Sequence, residues 1–506
     1  MKKLADRTFW WIELFAGLGF MTVGFFQDCS LTFGTAIISL ALWPTLFLSA
    51  AACIYRLLHF KTYSKSRGFW LIAALCVTYL LSTFLNRRYG WYENIRTLIM
   101  QGILFLMVYC YKESRSAEDI RKRRVWIGFY LSVCAVLTVM SFAYMLLGKN
   151  EIFYPETPEM PLYYTGFYWG RLYGVYWDPN IGALMCCISL LLAIGVFSKN
   201  HNIILRIAMS CLVVLDVMYI TFSDSRACHI AFVAGVIVFA VYYIMKNCRN
   251  KVVILFAVVA VALSAVLPTA IKSGYNSFAV QKSTSSSSGS HSGSGTSSNS
   301  SGSHSGSGTS SNSSGSHSGS GTSSNSSGKH STATQLVIRP KETNAADISN
   351  RRIDIWKSAI EIFKEKPVFG VGHNTVLAYV EAEQEDSYLI NNDHMHFSSM
   401  HNAFFDILVA QGAVGLLLYL TLAVWCIIAV FKNWKQISMQ LQGIAPAYLA
   451  VLAAMVCASC FMSEILYVCS PMSFIFWMAL GALMQTVKKE EGEHYAKSAK
   501  RLSRSV

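Results

Sequence analysis

Charge is what this sequence has least of. Asp, Glu, Lys and Arg together make up 14% of 506 residues, against about a quarter in ordinary soluble domains. Hydrophobic residues make up 53% and mean hydropathy is positive, so the length does not read as a string of water-soluble domains. The strict apolar/polar alternation of a membrane β-barrel is missing as well. No small-residue cleavage site follows the first apolar run behind Lys2, Lys3 and Arg7, so that run is expected to stay as an anchor. Most cysteines (Cys186, Cys187, Cys211, Cys457, Cys460 among them) lie inside apolar runs, where they act as small hydrophobes. No metal or other cofactor is expected.

What the chain does have is a succession of apolar runs near 20 residues, each long enough to cross roughly 30 Å of hydrocarbon as a helix. They fall near 9–26, 31–56, 68–86, 95–111, 125–147, 180–198, 203–222, 227–245, 252–271, 402–431, 444–465 and 471–487. The expected fold is therefore an all-α polytopic membrane protein of about twelve transmembrane helices. Residues 1–271 carry spans one to nine, 272–401 form a large loop, 402–487 carry the last three spans and 488–506 form a basic tail. The net charge of +14 could suggest nucleic acid, but its placement does not. Arg56, Lys61, Lys65 and Arg67, then Lys112, Arg115 and the 121–124 cluster, all fall on the side of the N-terminus. Lys199, Arg206, Lys246, Arg249, Lys251, Lys432, Lys435, Lys488 and Lys489 join them, as the positive-inside rule requires of cytoplasmic segments. Both termini are expected in the cytoplasm, and the partners are a membrane and its lipids rather than nucleic acid.

Few basic residues are left for the opposite face: Arg87, Arg88, Arg96, Arg171, Arg226, Arg339, Arg351 and Arg352. Cations on the disfavoured side raise the question of which anion they hold, with solvated loop charge the plainer account of Arg87, Arg88 and Arg339. Residues 148–178 are aromatic-rich with several prolines and read as a packed loop. Within the larger loop, 283–333 carry a Ser/Gly repeat with His291, His304, His317 and His330 at regular spacing. Such a composition buries too little apolar surface to fold and reads as a flexible insert, its histidines incidental. Residues 349–366 have the period of an amphipathic helix ending at Pro367, with Ile353, Trp356, Ala359, Ile360 and Phe363 on one stripe. Arg352 falls on that stripe, where a guanidinium is expensive unless an anion meets it.

Three constellations carry chemistry. In TFSDSR at 221–226, Ser223 and Ser225 suit a helix N-cap and Arg226 sits in the first turn, a ready site for phosphate. In RLYGVYWDPN at 171–180, Asp178 or Pro179–Asn180 starts a span with Arg171 just outside it. His401 and Asn402 open the tenth span, where a neutral imidazole can take a proton from a hydroxyl. His373 follows the Gly-rich turn at 367–372, and Glu13, Asp216 and Glu464 are ionisable residues in or beside spans.

Together these residues resemble the superfamily of O-antigen ligases and O-antigen, capsular and exopolysaccharide polymerases. His401-Asn402-x9-Gly412-x2-Gly415 is similar to its signature, as is Arg226-x3-Ile230, with Ile in place of the more usual Leu. Arg352-x3-Trp356 with Pro367-x2-Gly370-x-Gly372 looks like the helix of its large loop, and 171–180 like its Gly-aromatic-Pro-Asn segment. The resemblance covers roughly 165–480, leaving the repeat outside the pattern. It implies a GT-C-like bundle that transfers a glycan from an undecaprenyl-diphosphate-linked oligosaccharide to a glycan or lipid acceptor, without a metal and with inversion. Arg226 and Arg352 would then bind the diphosphate with help from Arg171, His401 would be the base, and Ser225, Asn402 and Asn180 would support them. The site would face away from the cytoplasm. Transport of a small anion or glycan-related solute is the alternative from another class.

Overall fold

The computed structural model describes residues 2–112, 116–153, 163–247, 249–287, 336–337, 351–392 and 396–487. Helices dominate, because long apolar runs in lipid must satisfy their peptide groups internally. In chain order they are α1 (Lys2–Asp28), α2 (Ala36–Leu58), α3 (Phe60–Tyr63), α4 (Phe69–Leu85), α5 (Tyr92–Ile103) and α6 (Ser116–Leu146). A small antiparallel sheet follows: β1 (Glu151–Phe153), β2 (Tyr163–Tyr168) and β3 (Arg171–Gly174), in that order. Then come α7 (Pro179–Lys199), α8 (Ile203–Phe222), α9 (Arg226–Lys246), α10 (Lys251–Ser287), α11 (Arg352–Glu365) and α12 (Val376–Glu383). The last are α13 (Ala403–Lys432), α14 (Trp434–Leu441), α15 (Ala445–Ala458) and α16 (Pro471–Thr486). The chain divides into two units, 1–273 with 337–506 and 274–336; the candidate site lies wholly in the first.

Each of the twelve expected spans contains a helix, but among the described residues eight are long and apolar enough to cross a membrane, or nine if the bent pair α14–α15 counts as one. The other four expected spans hold shorter helices: α4, α5, α15 and α16, of 17, 12, 14 and 16 residues. At 16 residues α16 is short, and its apolar side chains are buried all round by α1, α6, α7, α13 and α15, so it fills the bundle rather than facing lipid. The sheet is a departure from the all-α expectation, formed where the aromatic loop was read only as packed. The Ser/Gly/His repeat lies outside the described residues from 288 onward, while 283–287 continue α10.

Two features set the frame. Near the middle of α1, buried Glu13 accepts from Arg56 Nε at 2.8 Å and Lys122 Nζ at 2.6 Å, joining α1, α2 and α6. Arg56 Nη1 also donates to the carbonyls of Leu106 and Cys110, at the end of a π-helical turn over Leu104–Tyr109 that continues α5. Charges in lipid persist only when paired in this way. Glu13 is thus neutralised within the frame. Asp28, 15 residues on, lies about 22 Å further along α1. There Trp177 N donates to its carbonyl at 3.2 Å, so the loop that leads into α7 sits at the opposite end from the ionic cluster.

The second feature is a break in α13. Gly412 has φ 64 and ψ −163, a region open essentially to glycine alone. The break frees carbonyls and amides, and the 367–372 turn supplies partners for both. Val371 N donates to Val409 O at 2.8 Å and Gly372 N to Ala410 O at 3.0 Å; Ala413 N donates to Pro367 O at 2.8 Å and Val414 N to Val368 O at 3.3 Å. A side chain on Gly370 would collide with the Val409 carbonyl, and one on Gly412 with Val368. The 367–372 turn is thereby fastened to α13 by backbone hydrogen bonds, and Ser82 and Asn86 of the α4 end brace it by donating to Ala410 O and Gly370 O at 2.7 and 2.9 Å.

Above this anchor the loop has a core of its own: Ile355, Ala359 and Ile362 of α11 pack with Val371, Val376, Tyr379, Val380, Leu389, Met400 and Val409. The observed buried face of α11 is therefore Ile355, Ser358, Ala359 and Ile362, not the predicted stripe, since Ile353 and Ile360 are exposed. Trp356 is half-buried, stacked 5.4 Å from Phe405 with its Nε1 donating to Met400 O at 3.1 Å. Gly412→Ala is expected to cost about 2 kcal/mol or more, from the left-handed backbone and the strained contacts it imposes. The checks are a lower unfolding midpoint in detergent and faster hydrogen exchange at Val371, Gly372, Ala413 and Val414.

Candidate functional site

The ends of α7, α9, α11, α13 and α15 supply the candidate site. Asp178 starts α7 by accepting from Asn180 N at 2.6 Å and Ile181 N at 3.2 Å, with Pro179 in the first turn. Asn180 Oδ1 then accepts twice, from Arg171 Nη2 and from Ser225 Oγ, each at 2.8 Å. Arg171 Nε donates to Ser223 O at 2.8 Å. One amide oxygen thus ties β3, the start of α7 and the α8–α9 turn together. Ser225 caps α9 by accepting from Cys228 N at 3.4 Å; Ser223 does not cap it, but turns its hydroxyl back to Ile220 O. The same turn is held from α10 by Lys272, paired with Asp224 at 2.8 Å.

Arg226 follows as the first residue of α9, exposed, and among the described residues it has no hydrogen-bond or ion-pair partner. Arg352 opens α11, half-buried, with Nη2 donating to Phe461 O at 3.2 Å and its guanidinium over the Phe461 ring. Burial lowers the Arg352 pKa, and the Arg226 charge lowers it further, against the opposing carboxylate of Asp178. Two guanidinium groups, each at the start of its own helix, form a site suited to an anion.

His401 lies on the same side. It has φ 49, and its ring nitrogens have no hydrogen-bond partner among the described residues. Although the residue reaches solvent, protein packed about its ring lowers the imidazole pKa; the Arg352 charge adds to this, while Asp406 and Asp178 oppose it. Asn402 caps α13, its Oδ1 accepting from Phe404 N at 2.9 Å and Phe405 N at 3.3 Å, and its Nδ2 donates to Cys460 O at 3.0 Å.

Buried Asp406 holds the turn in which His401 sits. Its carboxylate accepts from Met400 N at 2.8 Å, from Ser399 Oγ at 3.1 Å and from Ser463 Oγ. Sequence reasoning passed it over, although an acid one turn into the helix after a candidate base was a usable signal. Asp178, read as a helix-start residue, turns out to act electrostatically on Arg352, His401 and Glu464 together. Glu464, in the loop before α16, is pushed well above the carboxylate range by burial and by Asp28 and Asp178. His373, after the Gly-rich turn, is half-buried and stacked on Tyr467 with ring centroids 4.6 Å apart. Asp216 is fully buried within α8. His394 lies outside the described residues, and His396 approaches Glu381 at 3.7 Å. Asp406→Ala would leave the Met400 amide without its acceptor and cost about 2 kcal/mol. Faster exchange of the Met400 amide, alongside a lower unfolding midpoint, is the expected signature.

Residues 211–420 match the family described as O-antigen ligase, and this bears out the resemblance drawn from the motifs around Arg226, Arg352 and His401. No match was found among the curated proteins.

Proposed function

We propose that the chain transfers a glycan from a polyprenyl diphosphate to an acceptor hydroxyl at the extracytoplasmic face of the cytoplasmic membrane. The observation that carries this is geometric: Arg352 and Asn402, the residue after His401, donate to the adjacent carbonyls Phe461 O and Cys460 O, and Arg226 stands at the Ser225-capped start of α9. The acceptor O–H proton passes to His401 as the oxygen bonds to the anomeric carbon. The bond from that carbon to the diphosphate breaks on the opposite face, inverting the centre, and the diphosphate leaves with the electron pair. Arg226 and Arg352 hold the developing charge without reorganising. Arg171 acts through Asn180 and Ser225, which fix the α9 start. The donor would be undecaprenyl-linked, and the acceptor a glycan or lipid.

Transport would favour a broken span whose freed peptide groups meet the solute. The break in α13 is of the other kind, because the loop's own backbone occupies those groups. Catalysis is the better reading.

Arg226→Ala, Arg352→Ala and His401→Ala are each expected to lower transfer by about 100-fold or more while leaving membrane insertion intact. Purified protein in nanodiscs with lipid-linked repeat units is the assay: a ladder of products identifies a polymerase, a single product a ligase. Donor left unconsumed by the wild type overturns both. A base must be neutral to act, so a lowered pKa lets His401 work at lower pH. The acid limb of the rate profile should therefore fall below the ordinary imidazole value of 6.5. A limb above that value would remove His401 from the role.

A further inference from the structure

The sheet has two unlike faces. Tyr163, Thr165, Phe167 and Leu172 are buried against the protein. The other face carries Tyr164, Tyr168, Tyr173 and Arg171, each half-buried, and the hairpin turn beside it presents Trp169, 52% exposed. These four rings form one cluster. The Tyr164 centroid lies 4.5 Å from Trp169, 5.1 Å from Tyr168 and 5.7 Å from Tyr173, and Trp169 lies 6.1 Å from Tyr173. Tyr168 pairs directly across from Arg171 in the β2–β3 register. The guanidinium of Arg171 is in turn bonded to Asn180 and Ser223. The strand pair thus abuts the α8–α9 turn that leads into Arg226, and Tyr219 secures it by donating to Tyr173 O at 2.8 Å.

Trp169 itself sits at φ 48, a conformation that suits glycine or asparagine far better. The turn holds a large indole in the open where local geometry favours a small residue.

We propose that Tyr164, Tyr168, Trp169 and Tyr173 form a stacking platform for a saccharide of the lipid-linked glycan; this rests on the reading of Arg226 and Arg352 as its diphosphate site. One face of a pyranose ring presents a set of C–H groups, and the electron-rich face of an aromatic ring attracts them. The turn bonded to Arg171 leads directly into Arg226, which suits a sugar whose neighbour is a phosphate. Rings that anchored the protein in the headgroup layer would instead be indifferent to sugar.

The test compares the full chain, Trp169→Gly and Trp169→Tyr in nanodiscs. Glycine fits φ 48, so the first variant removes the ring without straining the turn. The probes are bare undecaprenyl diphosphate and the delipidated glycan prepared from lipid-linked material of producing cells, read by saturation-transfer NMR. Trp169→Gly should bind the delipidated glycan about tenfold more weakly, Trp169→Tyr nearly as well as wild type, and all three should bind the bare diphosphate alike. Equal glycan binding by wild type and Trp169→Gly, or none by wild type, overturns the platform. Failure of the bare diphosphate to bind wild type overturns the donor reading instead, and the glycan arm then judges the platform by itself.

Discussion

A single break in one helix governs much of this structure. Were α13 continuous through Gly412, its carbonyls and amides would satisfy one another and offer the large loop nothing to hold. Opened at Gly412, the helix presents acceptors at Val409 and Ala410 and donors at Ala413 and Val414, and the 367–372 turn closes the account from both sides. The attachment is made of peptide groups, so it depends on the absence of side chains at Gly370 and Gly412 rather than on particular side-chain chemistry. It carries α11, and with it Arg352, to a fixed place over the start of α13, where His401 stands.

The remaining parts of the site are organised by small polar contacts at helix ends. Asn180 Oδ1 gathers Arg171 and Ser225, Asp406 gathers Met400, Ser399 and Ser463, and Asn402 links α13 to the end of α15. The bonds to the Asp406 carboxylate and from the Arg171 guanidinium are charge-assisted and stronger than neutral ones. Their effect is geometric: several helix N-termini and their caps converge at one end of the bundle, and the charged residues beside those caps converge with them. The Arg226–Arg352 repulsion follows from that convergence.

Much of the fold was legible because membrane spans write themselves in long apolar runs, and because Asp178, Ser225 and Asn402 are residues that begin helices. The count of spans was less so. A run such as that of α16 looks the same whether lipid or protein surrounds it. The face of α11 was misread because the helix packs on the loop's own core as well as on α13, so two exposed isoleucines, Ile353 and Ile360, imitated a buried stripe. The sheet escaped because its strands are three to six residues long and bulged at Gly166/Phe167, too short for alternation to declare itself. Asp406, Phe461 and Asp178 acquire their roles from contacts across the chain, which no local pattern records.

The burial of α16 bears on how the molecule is made. A helix enclosed by α1, α6, α7, α13 and α15 is translated after every one of its neighbours. The space among those helices is therefore filled only once 471–486 has been synthesised. Closure there is late and from within: a chain lacking 471–486 would keep the packing of α9 on α15, α7 on α8 and α1 on α2, but not the side chains that fill the space between them.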